Sequence, residues 1–185
     1  MSEQPLSRVT LFVAAGIAAV LVVGAIVASQ VLGAADTAAP ATTPSETPSA
    51  RTGPLALAGV DAPDAKAPAC AKLVGSLPAT LPSKDEELTR LPLADPAPPA
   101  AAAWAGERGE PVVLRCGLPK PAEYAPTAQL RTISDVNWLP VEGEGASTWY
   151  TVDRPVYVAL TIPDDAGTGV VQEMSATIAK ALPAT

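Results

Sequence analysis

The two cysteines of this chain, Cys70 and Cys116, carry its most reactive side chains. The sequence contains no histidine, which excludes Ser-His-Asp and Cys-His catalysis, histidine metal ligands and imidazole pH sensing. It also contains no CxxC motif, and two thiols alone do not complete a zinc site. We therefore predict one disulfide between Cys70 and Cys116, with two reduced, buried cysteines as the alternative.

Acidic side chains form three clusters that are the next candidates for chemistry. General acid–base catalysis needs two separated carboxyl groups in a cleft, one of them with a raised pKa. Adjacent carboxylates in polar loops are usually solvated, so we interpret the clusters as surface and turn residues and predict no catalytic site. The clusters are Asp85-Glu86-Glu87, Glu142 with Glu144, and Asp164-Asp165.

Two arginines could each bind an anionic envelope group through a bidentate contact. For Arg115 and Arg154 the alternative is a local ion pair or exposure to water, and the sequence favours neither. Tryptophans are predicted first as core residues, and as a binding platform only if they prove exposed. The three tryptophans are Trp104, Trp138 and Trp149.

Charge balance and motif content limit the possible ligands. The 185 residues include 12 Lys and Arg against 19 Asp and Glu, a formal net charge of −7. Nucleic acid is therefore not expected as a partner, because phosphate binding needs a basic face. The sequence has no glycine-rich phosphate loop and no spaced calcium ligands, so we predict no cofactor and no metal site.

The N-terminal region contains a long apolar segment. Residues 9–32 carry no charged side chain, and as a helix they would span roughly 36 Å, enough for a hydrocarbon core of about 30 Å. We predict a transmembrane signal anchor at residues 9–33 and a cytoplasmic tail at residues 1–8, because Arg8 lies at the boundary. A signal peptide cleaved near residue 35 is the alternative. Both interpretations place the rest of the chain outside the cytoplasm, and the predicted anchor would hold it at the cell membrane.

A linker and one domain are predicted to follow this segment. Residues 34–66 are dominated by Ala, Pro, Thr and Ser and contain no aromatic residue, which is typical of a disordered linker. All tryptophans and tyrosines fall between residues 104 and 157. The folded domain is therefore predicted at residues 67–185, which is enough for one two-layer core.

Hydrophobic periodicity predicts an α+β domain, a small and mainly antiparallel sheet with helices packed on one face. Residues 86–93 fit a strand or a turn, and residues 94–106 are predicted as a loop with one helical turn. The predicted strands occupy residues 111–116, 130–139 and 147–162, and Pro155 interrupts the last one. The predicted amphipathic helices occupy residues 68–77 and 168–182.

Four segments carry a resemblance to a known family: PVVLRCGLPKP at 111–121, VNW at 136–138, TWYTVDRPVYVALTIP at 148–163 and ATIAKALP at 176–183. They are similar to an actinobacterial membrane-protein family, domain of unknown function 3515. That family tends to have a Trp-Gly pair before the first segment, whereas here Ala105 separates Trp104 from Gly106. Because the family has no assigned activity, the resemblance implies a location and a fold but no chemistry.

These observations predict a membrane-anchored, extracytoplasmic and non-enzymatic domain that binds or scaffolds an envelope protein or polymer. The alternative is an envelope enzyme or small-ligand-binding protein with a cleft that the sequence does not reveal. A deep pocket or an exposed Trp/Arg groove would favour the alternative. An exposed apolar patch or one open sheet face would favour binding of a partner.

Overall fold

Two antiparallel meanders join along their last strands to build a single sheet of eight strands. The computed structural model describes residues 53–185 except residues 85 and 108. Within them the strand order is β1-β2-β3-β4-β8-β7-β6-β5, so β4 and β8 meet at the centre. The strands are β1 (Thr80–Pro82), β2 (Glu87–Arg90), β3 (Ala101–Ala105), β4 (Val112–Leu118), β5 (Arg131–Ile133), β6 (Val136–Glu142), β7 (Ala146–Thr151) and β8 (Tyr157–Pro163).

Two helices, α1 (Pro68–Ser76) and α2 (Gly169–Ala181), confirm the predicted amphipathic segments. Proline at the first position of α1 does not destabilise the helix, because the first N–H groups of a helix have no intrahelical partner. The helices pack against each other, and α2 also contacts β1, β5 and β6. Each buries an apolar stripe, made of Cys70 and Leu73 in α1 and of Val170, Val171, Met174, Ile178 and Ala181 in α2.

The sheet face toward the helices carries the hydrophobic core. Alternate residues of the two central strands are fully buried, as the period of two along a strand requires. In β4 these residues are Val112, Leu114 and Cys116, and in β8 they are Val158 and Leu160. Because the core spans both central strands, the two meanders form one domain.

Trp104 and Trp138 are fully buried, which confirms their prediction as core residues. The Trp104 indole donates a hydrogen bond of 3.0 Å to the Pro78 carbonyl, and Trp138 donates one of 2.8 Å to the Ser175 hydroxyl. Trp149 is half-buried and packs edge-to-face on Trp138, with ring centroids 6.4 Å apart. No tryptophan of the described domain is fully exposed, so none of them offers an open binding platform.

A disulfide joins Cys70 of α1 to Cys116 of β4, which confirms the predicted pairing. The two Cα atoms lie 5.6 Å apart, within the range that a disulfide can span, and both residues are fully buried. The bond therefore connects one covering helix to the centre of the sheet.

The predicted fold class, a single transmembrane helix followed by a small α+β sheet, is wrong. Among the residues that the structure describes, no helix is long and apolar enough to cross a membrane. What they form is a mostly antiparallel eight-stranded sheet with two short helices. The helix predicted at residues 9–33 and the tail at residues 1–8 lie outside the described residues, as do residues 34–52 of the predicted linker.

The sequence predicted fewer strands than the structure contains, because several strands lack a periodic apolar signal. The loop predicted at residues 94–106 contains β3, a run of alanines around Trp104, and alanine is depleted in strands. Pairing of β3 with β4 overrides that weak propensity. The strand predicted at residues 130–139 is a hairpin, because Ser134 and Asp135 adopt positive φ angles between β5 and β6.

Part of the predicted linker lies against the sheet, and we call residues 55–65 the strap. The Leu55 amide donates to the Pro92 carbonyl, and the Ala94 amide donates to the Leu55 carbonyl, each over 2.9 Å. At the other end, the Asp64 amide donates to the Gly117 carbonyl over 3.0 Å. The strap is therefore hydrogen-bonded to the domain at both ends.

Candidate functional site

The sheet face away from the helices forms the floor of a cleft. Side chains alternate between the two faces of a strand, so Arg115 points away from the core residues of β4. The strand register aligns Arg115 with Ala159 of β8, and Ala159 with Tyr150 of β7. We call such a set of aligned residues across neighbouring strands a row. In the next row on the same face, Thr161 of β8 is aligned with Thr148 of β7. These five side chains bring charge and hydroxyl groups onto one surface.

The strap and the loop after β4 supply the walls of this cleft. Residues 118–123 lie along one side, and Val60 and Asp61 of the strap also line it. The cleft has a volume of about 430 Å³. That volume falls within the range of roughly 300–1,000 Å³ that small-molecule sites occupy.

Arg115 is the polar group of the floor whose hydrogen bonding is least satisfied. Its Nη1 atom is buried and has no hydrogen-bond partner among the residues that the structure describes. Burial lowers the pKa of Arg115 from its usual value, and the group still stays charged at neutral pH. An unpaired buried donor costs about 1–3 kcal/mol, so a ligand oxygen placed there would regain that energy. The planar guanidinium suits a bidentate contact with a carboxylate or a phosphate.

Tyr150 and the two threonines add hydroxyl groups to the floor. Burial, and secondly the negative charge of Glu123, raise the pKa of Tyr150. The phenol therefore keeps its proton at neutral pH and can donate a hydrogen bond. The hydroxyls of Thr148 and Thr161 lie 3.1 Å apart and hydrogen-bond to each other.

The acidic clusters do not enter this cleft. Asp85 lies outside the described residues, Glu86 is exposed, and Glu87 accepts a hydrogen bond from Thr80. The other clustered carboxylates are exposed: Glu142 ends β6, Glu144 lies in the β6–β7 turn, and Asp164 and Asp165 lie in the β8–α2 turn. The first turn of α2 carries no acidic residue. Within the described ranges, no three His, Cys, Asp or Glu side chains are placed to hold a metal ion.

Arg154, the second arginine singled out from the sequence, has a structural role. Its guanidinium is almost fully buried and forms an ion pair with Asp153 over 3.0 Å. It also donates hydrogen bonds to the backbone carbonyls of Asp153, at 3.0 Å, and Asp135, at 2.5 Å. Arg154 thus ties the segment before β8 to the β5–β6 turn, and the alternative of a local ion pair is confirmed for it.

Sequence reasoning identified Arg115 but missed the other polar residues of the cleft. Period-two alternation across residues 148–161 would have placed Thr148, Tyr150, Ala159 and Thr161 on one face, if the register of β7 on β8 had been known. No local pattern identifies Asp61 or Glu123, because they reach the cleft only through the tertiary placement of the strap and the loop after β4.

Comparison with known proteins gives one informative match. Searches of curated proteins and of solved structures find no significant match. A family model described as "Protein of unknown function (DUF3515)" matches residues 15–185, which is most of the chain. This match confirms the family resemblance carried by residues 111–121 and 148–163, and the chain belongs to the DUF3515 family of proteins of unknown function.

Proposed function

We propose that this domain is a ligand-binding module whose cleft captures an anionic group on Arg115. The observation that carries the proposal is the buried Arg115 Nη1 atom, which has no hydrogen-bond partner in the described structure. It lies at the floor of a cleft of about 430 Å³ with further hydroxyl groups beside it. A carboxylate or phosphate that reaches the guanidinium could accept two parallel hydrogen bonds from it.

The surface of the domain supports a small polar ligand over docking on an apolar face. Among the described residues, the large hydrophobic side chains that are exposed are Val60 and Leu130, at 49% and 41%. They are single residues, and protein docking sites usually present a contiguous apolar patch of several hundred Å². The alternative of a small-ligand-binding protein is therefore favoured over a scaffold that binds through an apolar surface.

Binding is favoured over nucleophilic catalysis because the common activated nucleophiles are missing. Both cysteines are held in the disulfide, and the sequence has no histidine to serve as a general base. The floor offers a guanidinium, a phenol and two hydroxyls, which are groups suited to holding a ligand.

The disulfide supports a location outside the cytoplasm. Disulfides persist in oxidising compartments and are rare among cytosolic proteins, where thiol systems keep cysteines reduced. The bond between Cys70 and Cys116 lies at the centre of the core. This supports the proposal that the cleft is extracytoplasmic and that its anionic ligand belongs to a component of the cell envelope.

Thermal unfolding of the full chain with defined anions tests the proposal. Sodium succinate or sodium phosphate, compared with sodium chloride at equal ionic strength, should raise the Tm of the wild type. At a tenfold excess over Kd the expected stabilisation is about 1.4 kcal/mol, or roughly 3–5 °C. Arg115→Met should abolish the shift, because it removes the guanidinium and keeps an apolar stem of similar length.

Arg131→Met provides the matched control, because Arg131 is exposed on the edge strand β5 and does not line the cleft. This variant should keep the full anion-dependent shift. Equal shifts in the wild type, Arg115→Met and Arg131→Met would contradict the proposal. Comparison of succinate with phosphate would show which of the two anions the guanidinium prefers.

A further inference from the structure

The cleft carries charges of both signs that do not neutralise one another. Arg115 and Lys120 supply two cations, and Asp61 and Glu123 supply two carboxylates. Among the described residues, the ion pair within 4.0 Å joins Arg154 to Asp153, and neither residue lines this cleft. The four charged side chains of the cleft therefore have no ion-pair partner among the residues that the structure describes.

A simple anion can bind Arg115, but it matches only one sign of this charge pattern. Carboxylates beside a cationic site repel an incoming anion, and inside a cleft that repulsion is less screened than in bulk water. Lys120 is also partly engaged, since its Nζ lies 5.1 Å from the centre of the Tyr124 ring. A ligand that offers one negative and one positive group would match Arg115 and a carboxylate at the same time.

The strand register gives the width of the cleft floor between β4 and β7. Arg115 and Tyr150 lie in one row on β4 and β7, with Ala159 of β8 between them. Neighbouring strands are about 4.8 Å apart, so the two backbones are separated by roughly 10 Å. Glu123 lines the same cleft as Arg115 and Tyr150.

We infer that the ligand of this cleft is a short peptide with free termini, whose carboxylate binds Arg115 and whose ammonium group binds Glu123. The inference rests on the proposed function, because it uses the same guanidinium. Three extended residues span about 10 Å, which matches the distance between the two ends of the row. Ala159 provides a small apolar floor beneath such a chain, and the hydroxyls of Thr148 and Thr161 lie in the next row, within reach of peptide amides.

Calorimetric titration of the full chain with trialanine, N-acetyl-trialanine and trialanine amide tests the inference. Trialanine should bind most tightly, and removal of either terminal charge should weaken binding about 10- to 100-fold, as expected for loss of a charge-assisted hydrogen bond. Glu123→Gln should weaken the binding of trialanine by a similar factor and leave N-acetyl-trialanine unaffected. Arg115→Met should weaken both ligands. Glu142→Gln is the matched control, because Glu142 is exposed at the end of β6 and outside the cleft.

The outcomes separate this inference from the proposed function. If N-acetyl-trialanine binds as tightly as trialanine and still depends on Arg115, the peptide inference is overturned and the anion site stands. The same holds if trialanine does not bind while succinate raises the Tm through Arg115. If neither the peptides nor the simple anions bind in an Arg115-dependent way, both are overturned.

Discussion

Replacing Cys70 and Cys116 together with alanine is expected to lower the free energy of unfolding by about 2–5 kcal/mol. The bond links residues 46 positions apart, and in the chain-entropy model a loop of that length contributes about 4 kcal/mol. It also fastens α1 to the central strand β4, so its loss should loosen the helical cover of the core. Urea denaturation of the full chain, followed by tryptophan fluorescence, measures the change.

The wild-type chain treated with a reductant provides the control, because it breaks the bond and keeps both sulfur atoms in place. An unchanged denaturation midpoint in the double variant and in the reduced wild type would contradict the structural role of the bond.

The oxidation state of the same two cysteines in cells reports the compartment of the domain. In cells quenched with N-ethylmaleimide, the chain should be recovered oxidised, whereas recovery of two alkylated thiols would contradict an extracytoplasmic location.

Gly117→Ala is expected to lower the free energy of unfolding by about 2–4 kcal/mol. Gly117 has a φ angle of +85°, which costs any other residue about 1–2 kcal/mol. A Cβ atom at this position would also overlap the backbone of Asp64 and Ala65, so the end of the strap would have to move. That movement would break the hydrogen bond from the Asp64 amide to the Gly117 carbonyl, worth about 1 kcal/mol.

Gly75→Ala is the matched control for this substitution. Gly75 lies in α1, and beyond the adjacent backbone of that helix a Cβ atom there would meet no atom within 4 Å. Alanine is the better helix former, so this variant should gain about 0.5–1 kcal/mol. Urea denaturation of the two variants side by side gives the comparison. A Gly117→Ala chain as stable as Gly75→Ala would mean that the strap is not held at Gly117.

The helices and the disulfide could be predicted from the sequence because their signals are local. Apolar residues spaced by three and four positions defined α1 and α2, and Pro68 marked the start of the first helix. The disulfide followed from the absence of histidine, a CxxC motif and further zinc ligands, and its two cysteines fall in the predicted helix 68–77 and the predicted strand 111–116.

The extent of the sheet and the cleft could not be predicted because both depend on tertiary pairing. The alanines of β3 carry almost no strand propensity, and their pairing with Arg115 and its neighbours in β4 decides their conformation. The hairpin between β5 and β6 turns at Ser134 and Asp135, residues that local alternation had assigned to one strand. The walls of the cleft come from the strap and from residues 118–123, which are brought together only in the folded domain.

The side-chain NMR signals of Arg115 test the central claim, that its guanidinium holds an anionic group, most directly. In the ¹⁵N-labelled full chain, titration with succinate should shift the Nε–Hε and Nη–Hη resonances of Arg115. A bidentate contact slows rotation of the guanidinium, so the Nη protons should also separate into distinct signals. The signals of Arg131, exposed on β5, should stay in place. Unchanged Arg115 signals at succinate concentrations that raise the Tm would contradict the account.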